Sequence, residues 1–410
     1  MKPVKIGIIG LGTVGCATVN ILQTRGAELT ARIGRSIIVS HACVRDPSKP
    51  RDCDLTGVTL LEDPSELVTH PDIDIVVELM GGTELALELS LKAIAAGKHL
   101  VTANKAIIKA IREGLAGNRI HSVAGIINGT GNFILSEMLD EGRAFAEVLG
   151  EAQQLGYAEA DPTFDVEGID AAHKLAILAS IAFGIPLSFS AVYTEGIGNL
   201  TAEDVRNAEK LGYRIKHLGI AEHNSQGVSL RVHPTLIPRS QLLANVHGVM
   251  NAVQVQSDAV GESLYYGAGA GGGPTGSAVV ADIIDIARSL ETRPDQRVAL
   301  LGIRHDALKE VPLLPIDAIE SAYYLRMQAT DQPGVMAEVT GILGKMGISI
   351  EAIEQTEPMQ HDTQATIIML THRVIEEHMI KVIRQLEALD TIMGAITLIR
   401  VEHFNTRQSA

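Results

Sequence analysis

The segment from Gly156 to Lys174 concentrates acidic side chains and a lysine in a pattern that could carry chemistry. A polar loop with Glu159 and Asp165 leads into a mostly apolar helix. On that helix Asp170 and Lys174 are four residues apart, so they share one face and can pair. A positioned ammonium group can stabilise negative charge on a reacting oxygen atom and protonate it. A lysine on a buried helix is costly unless it is paired or functional, which makes this pair a candidate catalytic element.

The same residues also fit a purely structural role. Acidic side chains are favoured near helix N-termini by the free N–H groups and the helix dipole. Lys174 would then be their surface ion-pair partner. Taken alone, the segment fits this structural role better, so the choice depends on the rest of the chain.

A second lysine, Lys105, follows the predicted parallel strand that ends in Val101-Thr102. In open α/β sheets, ligands bind beyond the carboxyl ends of the strands, so Lys105 would point into a ligand crevice. On composition alone, a lysine at a strand end is more often a solvated residue at the rim of the sheet.

A glycine-rich loop near the N-terminus has the dinucleotide-binding pattern GxGxxG, with a predicted strand before it and a helix after it. Gly10 permits the tight turn, Gly12 lets a pyrophosphate approach the backbone, and Gly15 allows close helix–strand packing. The helix N-terminus offers N–H groups and partial positive charge to the phosphates. We expect a dinucleotide to contact Gly10, Gly12, Thr13, Val14 and Gly15; a turn in a non-binding α/β protein is the alternative.

The second predicted strand ends in Val44-Arg45-Asp46, where the acid that binds the ribose is displaced from its usual place. Arg45 could hold a 2′-phosphate with its guanidinium group, whereas Asp46 could bind a ribose hydroxyl. Lys49 and Arg51 add positive charge nearby. We therefore predict NADP as the cofactor, with NAD tolerated, while a solvated surface role for Arg45 is equally compatible with the sequence.

Alternating strand and helix patterns must position these residues. Residues 4–106 indicate parallel βαβ units, hence an α/β, Rossmann-like doubly wound parallel sheet. An α+β layer follows, with an apolar helix at Gly168–Phe183 and with Pro234 and Pro238 in loops. After a linker at Glu310–Asp317, the order βαββαβ predicts a ferredoxin-like domain. The predicted strands of the first region are Val4–Ile9, Ile37–Val44, Ile73–Val77 and His99–Thr102.

The composition argues against several kinds of partner. The net charge of −15, the 3 % aromatic content and the absence of tryptophan disfavour nucleic-acid binding. No apolar run is long enough for a transmembrane helix, and the N-terminus lacks a secretory signal pattern. Cys16, Cys43 and Cys53 form neither a disulfide framework nor a metal-binding motif. We expect a cytoplasmic protein without membrane partners.

Five segments in this order resemble the homoserine dehydrogenases: GxGxxG, VTANK, INGTGNFIL, GYAEADPTFDVEGIDAAHKLAIL and YYGAGAGGGPTGSAV. The resemblance runs from about residue 4 to residue 310, and the long fourth segment is the most specific. It implies reversible reduction of L-aspartate-4-semialdehyde to L-homoserine by NAD(P)H, a step of threonine, methionine and isoleucine biosynthesis.

The resemblance also implies roles for individual residues. Lys174 would deliver a proton to the carbonyl oxygen, Asp170 would orient that lysine, and Lys105 would lie beside the nicotinamide and the substrate. Glu159 and Asp165 match substrate-binding carboxylates, which suit the α-ammonium group of the substrate.

Two glycine loops complete the expected site. Gly129 and Thr130 lie between a strand and a helix and are expected to line the substrate cleft, with a plain turn and helix N-cap as an equal alternative. The late glycine loop, which contains Gly271, resembles the family loop that returns to the cofactor, where small residues permit close approach. A flexible hinge is the alternative for this second loop.

One part of the family pattern is missing. In the family, the VTANK strand is followed by a helix, a further strand with a glutamate and a Gly-Gly-Ile-Pro loop, whereas here Ala106 runs directly into Ile107. The residues that hold the family's monovalent cation are absent with it, so we assign no metal ligand. Either the segment is deleted, which should impair the sheet and catalysis, or the printed sequence omits it.

The segment Asp331-Gln332-Pro333-Gly334-Val335 resembles the ligand loop of an ACT domain. Gly334 would let a small amino acid approach the backbone, and the helix N-terminus would receive its carboxylate. The resemblance implies threonine as the feedback inhibitor, bound between paired ACT domains of a homodimer or homotetramer, with contacts at Asp331, Gly334 and Val335. A ferredoxin-like domain used only for dimerisation is the alternative.

We therefore expect a dinucleotide-binding domain at 1–118, a substrate-binding and dimerisation domain at 119–312 and an ACT domain at 320–404. Two other functions compete with the enzyme. A semialdehyde dehydrogenase that acylates a thiol needs a cysteine in the cleft, but all three cysteines lie within residues 16–53. A catalytically silent amino-acid-binding regulator would follow from a true deletion after residue 106.

Overall fold

The computed structural model describes residues 2–82, 84–102, 110–293, 296–299, 301–356 and 364–404. It divides into two compact units, the first formed by residues 1–110 with 268–300 and the second by residues 111–267 with 301–410. Among the helices that the structure describes, none has the length and apolar character needed to cross a membrane.

The first unit contains a five-stranded parallel sheet with the strand order β3-β2-β1-β4-β5. The strands are β1 (Val4–Ile9), β2 (Ile37–Cys43), β3 (Thr59–Leu61), β4 (Ile75–Glu78) and β5 (His99–Thr102). From β1 the chain adds β2 and β3 on one side of the sheet and β4 and β5 on the other. The strand order therefore reverses between β1 and β4, and sheets of this kind bind ligands at such a reversal. The Rossmann-like sheet predicted from the sequence is confirmed.

The helices of the first unit are α1 (Thr13–Thr24), α2 (Gly26–Ile33), α3 (Pro64–Thr69), α4 (Glu84–Ala95) and, from later in the chain, α10 (Gly272–Ser289). Helix α10 packs on α1 through glycines: a Cβ at Gly272 would lie 3.0 Å from Thr13 Cγ2, and one at Gly276 would lie 3.1 Å from the Thr18 amide nitrogen. Helix α10 belongs by its contacts to the first unit.

The second unit begins with a mixed, mostly antiparallel sheet and the helices that cover it. Its strands are β6 (Ile120–Ile126), β7 (Tyr193–Thr194), β8 (Tyr213–His223), β9 (Val228–Pro238), β10 (Met250–Ser257), β11 (Glu262–Ala268) and β12 (Leu313–Leu314). Its helices are α5 (Gly129–Asp140), α6 (Phe145–Gln154), α7 (Thr163–Val166), α8 (Ile169–Phe183) and α9 (Ala202–Lys210). Helix α8 lies against β6, β8 and β9 with its apolar face.

The C-terminal part of the second unit has the predicted βαββαβ order with one additional short strand. It comprises β13 (Glu320–Thr330), α11 (Val335–Lys345), β14 (Ile350–Thr356), β15 (Gln364–Thr371), β16 (Val374–Ile375), α12 (Glu376–Glu387) and β17 (Ile392–Val401). Strand β17 pairs with β13 and also, in parallel, with β9, where Arg400 lies opposite Thr235 and Val401 opposite Leu236. One sheet therefore continues from the middle of the chain into its C-terminal domain.

Two prolines that the sequence places in loops lie inside a strand. Pro234 is paired with His217 and Pro238 with Tyr213 in the β8–β9 ladder. The fixed φ of proline is compatible with an extended strand, and its only local cost there is the missing N–H. The expectation of loops at these two positions was wrong.

Candidate functional site

Four side chains from three segments of the second unit form one hydrogen-bonded cluster. The amide nitrogen of Asn128 donates to Asp165 Oδ1 at 2.7 Å and to Asp170 Oδ2 at 2.9 Å. Asp170 pairs in turn with Lys174. Lys174 Nζ also donates to the backbone carbonyl of Ile127, just beyond β6, at 3.1 Å. The predicted pair of Asp170 and Lys174 is thus held against the start of α5.

Helix capping explains why the cluster assembles there. Asn128 is the N-cap of α5, and its side-chain oxygen accepts the backbone N–H of Gly131 at 2.8 Å. The oxygen of this amide satisfies a free helix donor, so the NH₂ group is directed at the two carboxylates. Helix α8 begins after Gly168, whose φ of +78° turns the chain sharply out of α7. Asp165 and Asp170 therefore flank one turn and meet the same amide.

The cluster is partly withdrawn from water. The side chains of Lys174 and Asp170 keep 27 % and 23 % of their exposure, enough to meet a ligand but little enough to strengthen charge interactions. Burial raises the pKa of Asp165, the hydrogen bond from Asn128 opposes this, and the charge of Asp170 adds to the rise. Asp165 is therefore a desolvated carboxyl group that would gain from an added positive charge.

The other residues expected at the substrate have visible structural roles. Thr130 donates its hydroxyl to the Tyr157 carbonyl at 2.7 Å, which ties the start of α5 to the acidic loop. A Cβ at Gly129 would lie 2.8 Å from the Val249 carbonyl, so close packing accounts for the glycine. Glu159 is exposed, and its charge contributes to the raised pKa of Asp165. Asp161, in the same loop, accepts hydrogen bonds from the backbone N–H and the hydroxyl group of Thr163.

The glycine loop of the first unit has the geometry that a dinucleotide needs. Gly10 has a φ of +94°, and a Cβ there would lie 2.7 Å from the Leu79 carbonyl. A Cβ at Gly15 would lie 2.1 Å from the Gly10 carbonyl, whereas the space around Gly12, the N-cap of α1, is open. Thr13, Gly12 and Gly10 line a cavity of about 1050 Å³. A pyrophosphate can therefore reach the first N–H groups of α1.

The same cavity is lined by the residues expected to determine the choice between NADP and NAD. Arg45 is exposed and lines the cavity together with Asp46, Lys49 and Arg51. Asp46 accepts the backbone N–H of Ser48 at 2.9 Å and its hydroxyl at 2.6 Å, which lowers the pKa of the Asp46 carboxyl group. Gly272, the residue after Gly271, reaches the cavity wall, and Gly271 has a φ of +107°.

Comparison with known proteins identifies the family. A model described as homoserine dehydrogenase matches residues 106–284, one described as its NAD-binding domain matches residues 10–121, and an ACT-domain model matches residues 323–391. The homoserine dehydrogenase of Pseudomonas aeruginosa is 55 % identical over 436 aligned residues, covering 99 % of this chain and all of that protein. The chain belongs to the homoserine dehydrogenase family.

Solved structures of homoserine dehydrogenases agree with this assignment. The enzyme from Thiobacillus denitrificans is 51 % identical, covers 98 % of each chain and superimposes with a TM-score of 0.91. A hyperthermophilic archaeal homoserine dehydrogenase in complex with NADPH is 26 % identical, with a TM-score of 0.58 over 71 % of this chain and 99 % of that one.

One expected homoserine dehydrogenase residue cannot be located. Lys105 lies outside the described residues, as do the residues on either side of the missing family segment. The alignment with the Pseudomonas enzyme spans 436 positions, whereas this chain has 410 residues, so at least 26 of those positions have no residue here. This difference agrees with the internal segment that the sequence pattern lacks.

The ACT loop of this homoserine dehydrogenase is open at its glycine. Gly334 is the N-cap of α11 with a φ of +102°, and a Cβ there would meet no atom within 4 Å. Asp331 accepts a hydrogen bond from Gln355 of β14 at 3.3 Å, and Val335 is buried as the first residue of α11. The loop thus offers backbone N–H groups beside free space.

Asn128 is the site residue that sequence reasoning did not select. It is the N-cap of α5, in the loop for which the sequence left a plain turn and helix N-cap open as an alternative. Its NH₂ group also contacts Asp165 and Asp170, which lie 37 and 42 positions further along the chain, and no spacing rule connects these residues. Its place between a strand and a helix is the only signal in the sequence, and that signal indicates a helix cap rather than a contact with the two carboxylates.

Proposed function

We propose that this chain catalyses the reversible, NAD(P)H-dependent reduction of L-aspartate-4-semialdehyde to L-homoserine, with NADPH as the preferred cofactor. The observation that carries the proposal is the cluster of Asn128, Asp165, Asp170 and Lys174 at the converging N-termini of α5 and α8. A bound dinucleotide would supply the hydride to the carbonyl carbon.

Lys174 is the proton donor in this proposal. An ammonium group has three hydrogens, and Asp170 and the Ile127 carbonyl accept two of them. The third can meet a substrate oxygen, on which negative charge grows as hydride arrives. Asp170 orients the lysine through their ion pair, while Asn128 restrains Asp170.

The substrate's α-ammonium group is assigned to Asp165, with Glu159 at the exposed side. Burial and the neighbouring carboxylate of Asp170 raise the pKa of Asp165, so a ligand cation would stabilise its charged form and be bound by it. Gly129 and Thr130 would shape the cleft beside them. Lys105 is proposed to lie next to the nicotinamide and substrate, on the resemblance alone.

The main test is turnover, measured as NADPH oxidation with aspartate semialdehyde. Lys174→Ala should lower kcat about 100- to 10,000-fold while leaving NADPH binding, measured by fluorescence, unchanged. Lys381→Ala is the matched control, because Lys381 forms the same i,i+4 pair with Glu377 on the exposed face of α12. Unchanged turnover in the Lys174 variant would reject the assignment.

The rival reading is a catalytically silent amino-acid-binding regulator. A folded sample whose intact mass agrees with 43.7 kDa and that oxidises no NADPH would favour the regulator. A larger mass would instead indicate that the printed sequence omits a segment.

Cofactor preference is assigned to Arg45 at the cavity wall. Arg45→Ser should raise the KM for NADPH about tenfold or more, because a charge-assisted bond to the 2′-phosphate is lost, and should leave the KM for NADH nearly unchanged. Equal changes for both cofactors would argue that Arg45 is a surface residue.

Threonine is the proposed effector, bound at Asp331, Gly334 and Val335 between paired ACT domains of a homodimer or homotetramer. The free space at Gly334 supports an approach of the amino acid to the start of α11. Gly334→Val should weaken inhibition by threonine without lowering kcat in its absence. Inhibition that survives this change would place the effector elsewhere.

A further inference from the structure

His217 is a buried histidine of β8 that lies beneath the cluster without belonging to it. Its ring Nε2 lies 2.9 Å from the backbone carbonyl of Glu195, so Nε2 carries the hydrogen and donates it. Within the described part of the chain, Nδ1 is buried and has no hydrogen-bond partner. Burial lowers the pKa of His217 to about 4, so the ring is neutral under ordinary conditions.

Two glycines bring the site helices onto this ring. A Cβ at Gly168, the N-cap of α8, would lie 2.9 Å from His217 Cε1. A Cβ at Gly131, in the first turn of α5, would lie 3.6 Å from His217 Nδ1. The imidazole therefore sits between the N-termini of the two helices that carry Asn128 and Asp170.

Glu195, whose backbone carbonyl accepts the bond from the ring, lies in a segment that is held at two points. The carboxylate of Glu195 accepts a bond from Arg400 Nη1 at 2.7 Å, and Arg400 is buried in β17 of the ACT domain. Two residues later, the Ile197 amide donates to the Val166 carbonyl at 3.0 Å, next to the turn between α7 and α8. The segment 195–197 thus contacts both the ACT domain and the turn beside the cluster.

We propose that His217 is a positioning residue, whose ring sets the separation of the α5 and α8 N-termini and links it through Glu195 to the ACT domain. A shift of Glu195 would move the ring, and the ring would move the turn that carries Asp165 and Asp170. This inference rests on the proposed function, because the quantity that it controls is turnover at Lys174.

The experiment compares substitutions that keep or remove the bond to Glu195. His217→Phe retains a ring without the N–H donor and should lower kcat about 10- to 100-fold, as a small misplacement of catalytic groups does. His217→Gln retains an N–H donor and should restore much of kcat. The KM for NADPH should stay the same in both, because the dinucleotide cavity is lined by residues of the first unit.

His233→Gln is the matched control. His233 is also fully buried, but it pairs with Leu218, the neighbour of His217, and therefore faces the opposite side of the sheet. Its replacement should lower stability and leave kcat of the folded protein unchanged.

Two results would overturn the inference: wild-type kcat in folded His217→Phe, or an equal loss of kcat in His233→Gln. If His217→Phe does not fold, Gly168→Ala is the second test, because its added methyl group would press on the same ring and should also lower kcat. Wild-type kcat in Gly168→Ala would then overturn the inference. A wild-type protein without NADPH oxidation would instead refute the proposed function.

Discussion

Asn128→Asp tests the cluster more sharply than removal of any charged residue. The new carboxylate keeps an oxygen for the Gly131 amide, so the cap of α5 is retained. Its second oxygen replaces the NH₂ group that lies 2.7 Å from Asp165 and 2.9 Å from Asp170. Two attractive contacts thus become two repulsive ones without a change in side-chain size.

The expected cost follows from those contacts. A hydrogen bond to a charged group contributes about 1.5 to 3 kcal/mol, and the partial exposure of Asp170 favours the lower value, so losing two costs about 3 kcal/mol. Like charges this close repel by several kcal/mol at an effective dielectric constant of about 20, although proton uptake relieves part of this. We expect the free energy of unfolding to fall by about 3 to 5 kcal/mol at pH 7.

Urea unfolding between pH 5 and 8 measures the effect, and its pH dependence has a defined sign. The folded-state pKa of Asp165 already lies above its ordinary value because of burial. A raised carboxyl pKa contributes stability at low pH that is lost as the pH rises through it. Because a third carboxylate raises that pKa further, the difference in the free energy of unfolding between the wild type and the less stable variant should grow as the pH increases. Its kcat should drop at least about 100-fold, since Asp170 no longer holds Lys174 in place.

Asn128→Ser is the control, because serine can cap α5 but neither donates to both carboxylates nor adds a charge. Its loss of stability should be smaller and nearly independent of pH. The cluster would be misassigned if Asn128→Asp were as stable as Asn128→Ser from pH 5 to 8.

Three further predictions concern other parts of the molecule. Gly15→Ala places a Cβ 2.1 Å from the Gly10 carbonyl and should weaken NADPH binding more than tenfold by calorimetry; an unchanged affinity would contradict the proposed loop geometry. Burial lowers the pKa of His217 to about 4, so the free energy of unfolding of the wild type should fall by about 1.4 kcal/mol per pH unit as the pH falls from 6.5 towards 4. Denaturant titrations of His217→Phe should not show this part of the pH dependence. Arg400→Met leaves Glu376 buried without its cation and should cost about 3 to 5 kcal/mol, much of which Arg400→Met with Glu376→Gln should recover; a double variant no more stable than the single one would count against the pair.

The sequence predicted those parts of the fold that short-range patterns determine. The alternation of parallel strands with helices, the glycine loop and the βαββαβ arrangement all depend on periodicity or on contacts between near neighbours. The short strand β3 and helices α2 and α3 were not predicted, since a few residues carry too little periodicity. Pro234 was assigned to a loop because local preference cannot show that strands pair on both sides of it.

In the cluster around Lys174, only the charged residues could be predicted from the sequence. Asp170 and Lys174 share a helix face by spacing, and the structure pairs them. Asn128 and His217 could not be predicted, because their contacts join segments from different elements and because asparagine at a cap and histidine in a strand have ordinary local explanations. The approach of Gly168 to the His217 ring likewise depends on how α8 crosses β8.

The pairing of β17 with β9 bears on how the protein is made. Arg400 and Val401 complete the sheet beside Thr235 and Leu236, more than 160 residues after those positions leave the ribosome. Until then β9 lacks one neighbour, and Glu195 lacks its guanidinium partner. A nascent chain would therefore hold an unfinished edge while more than 160 further residues are added, and the sheet of the second unit would become fully native only when the C-terminal domain is complete.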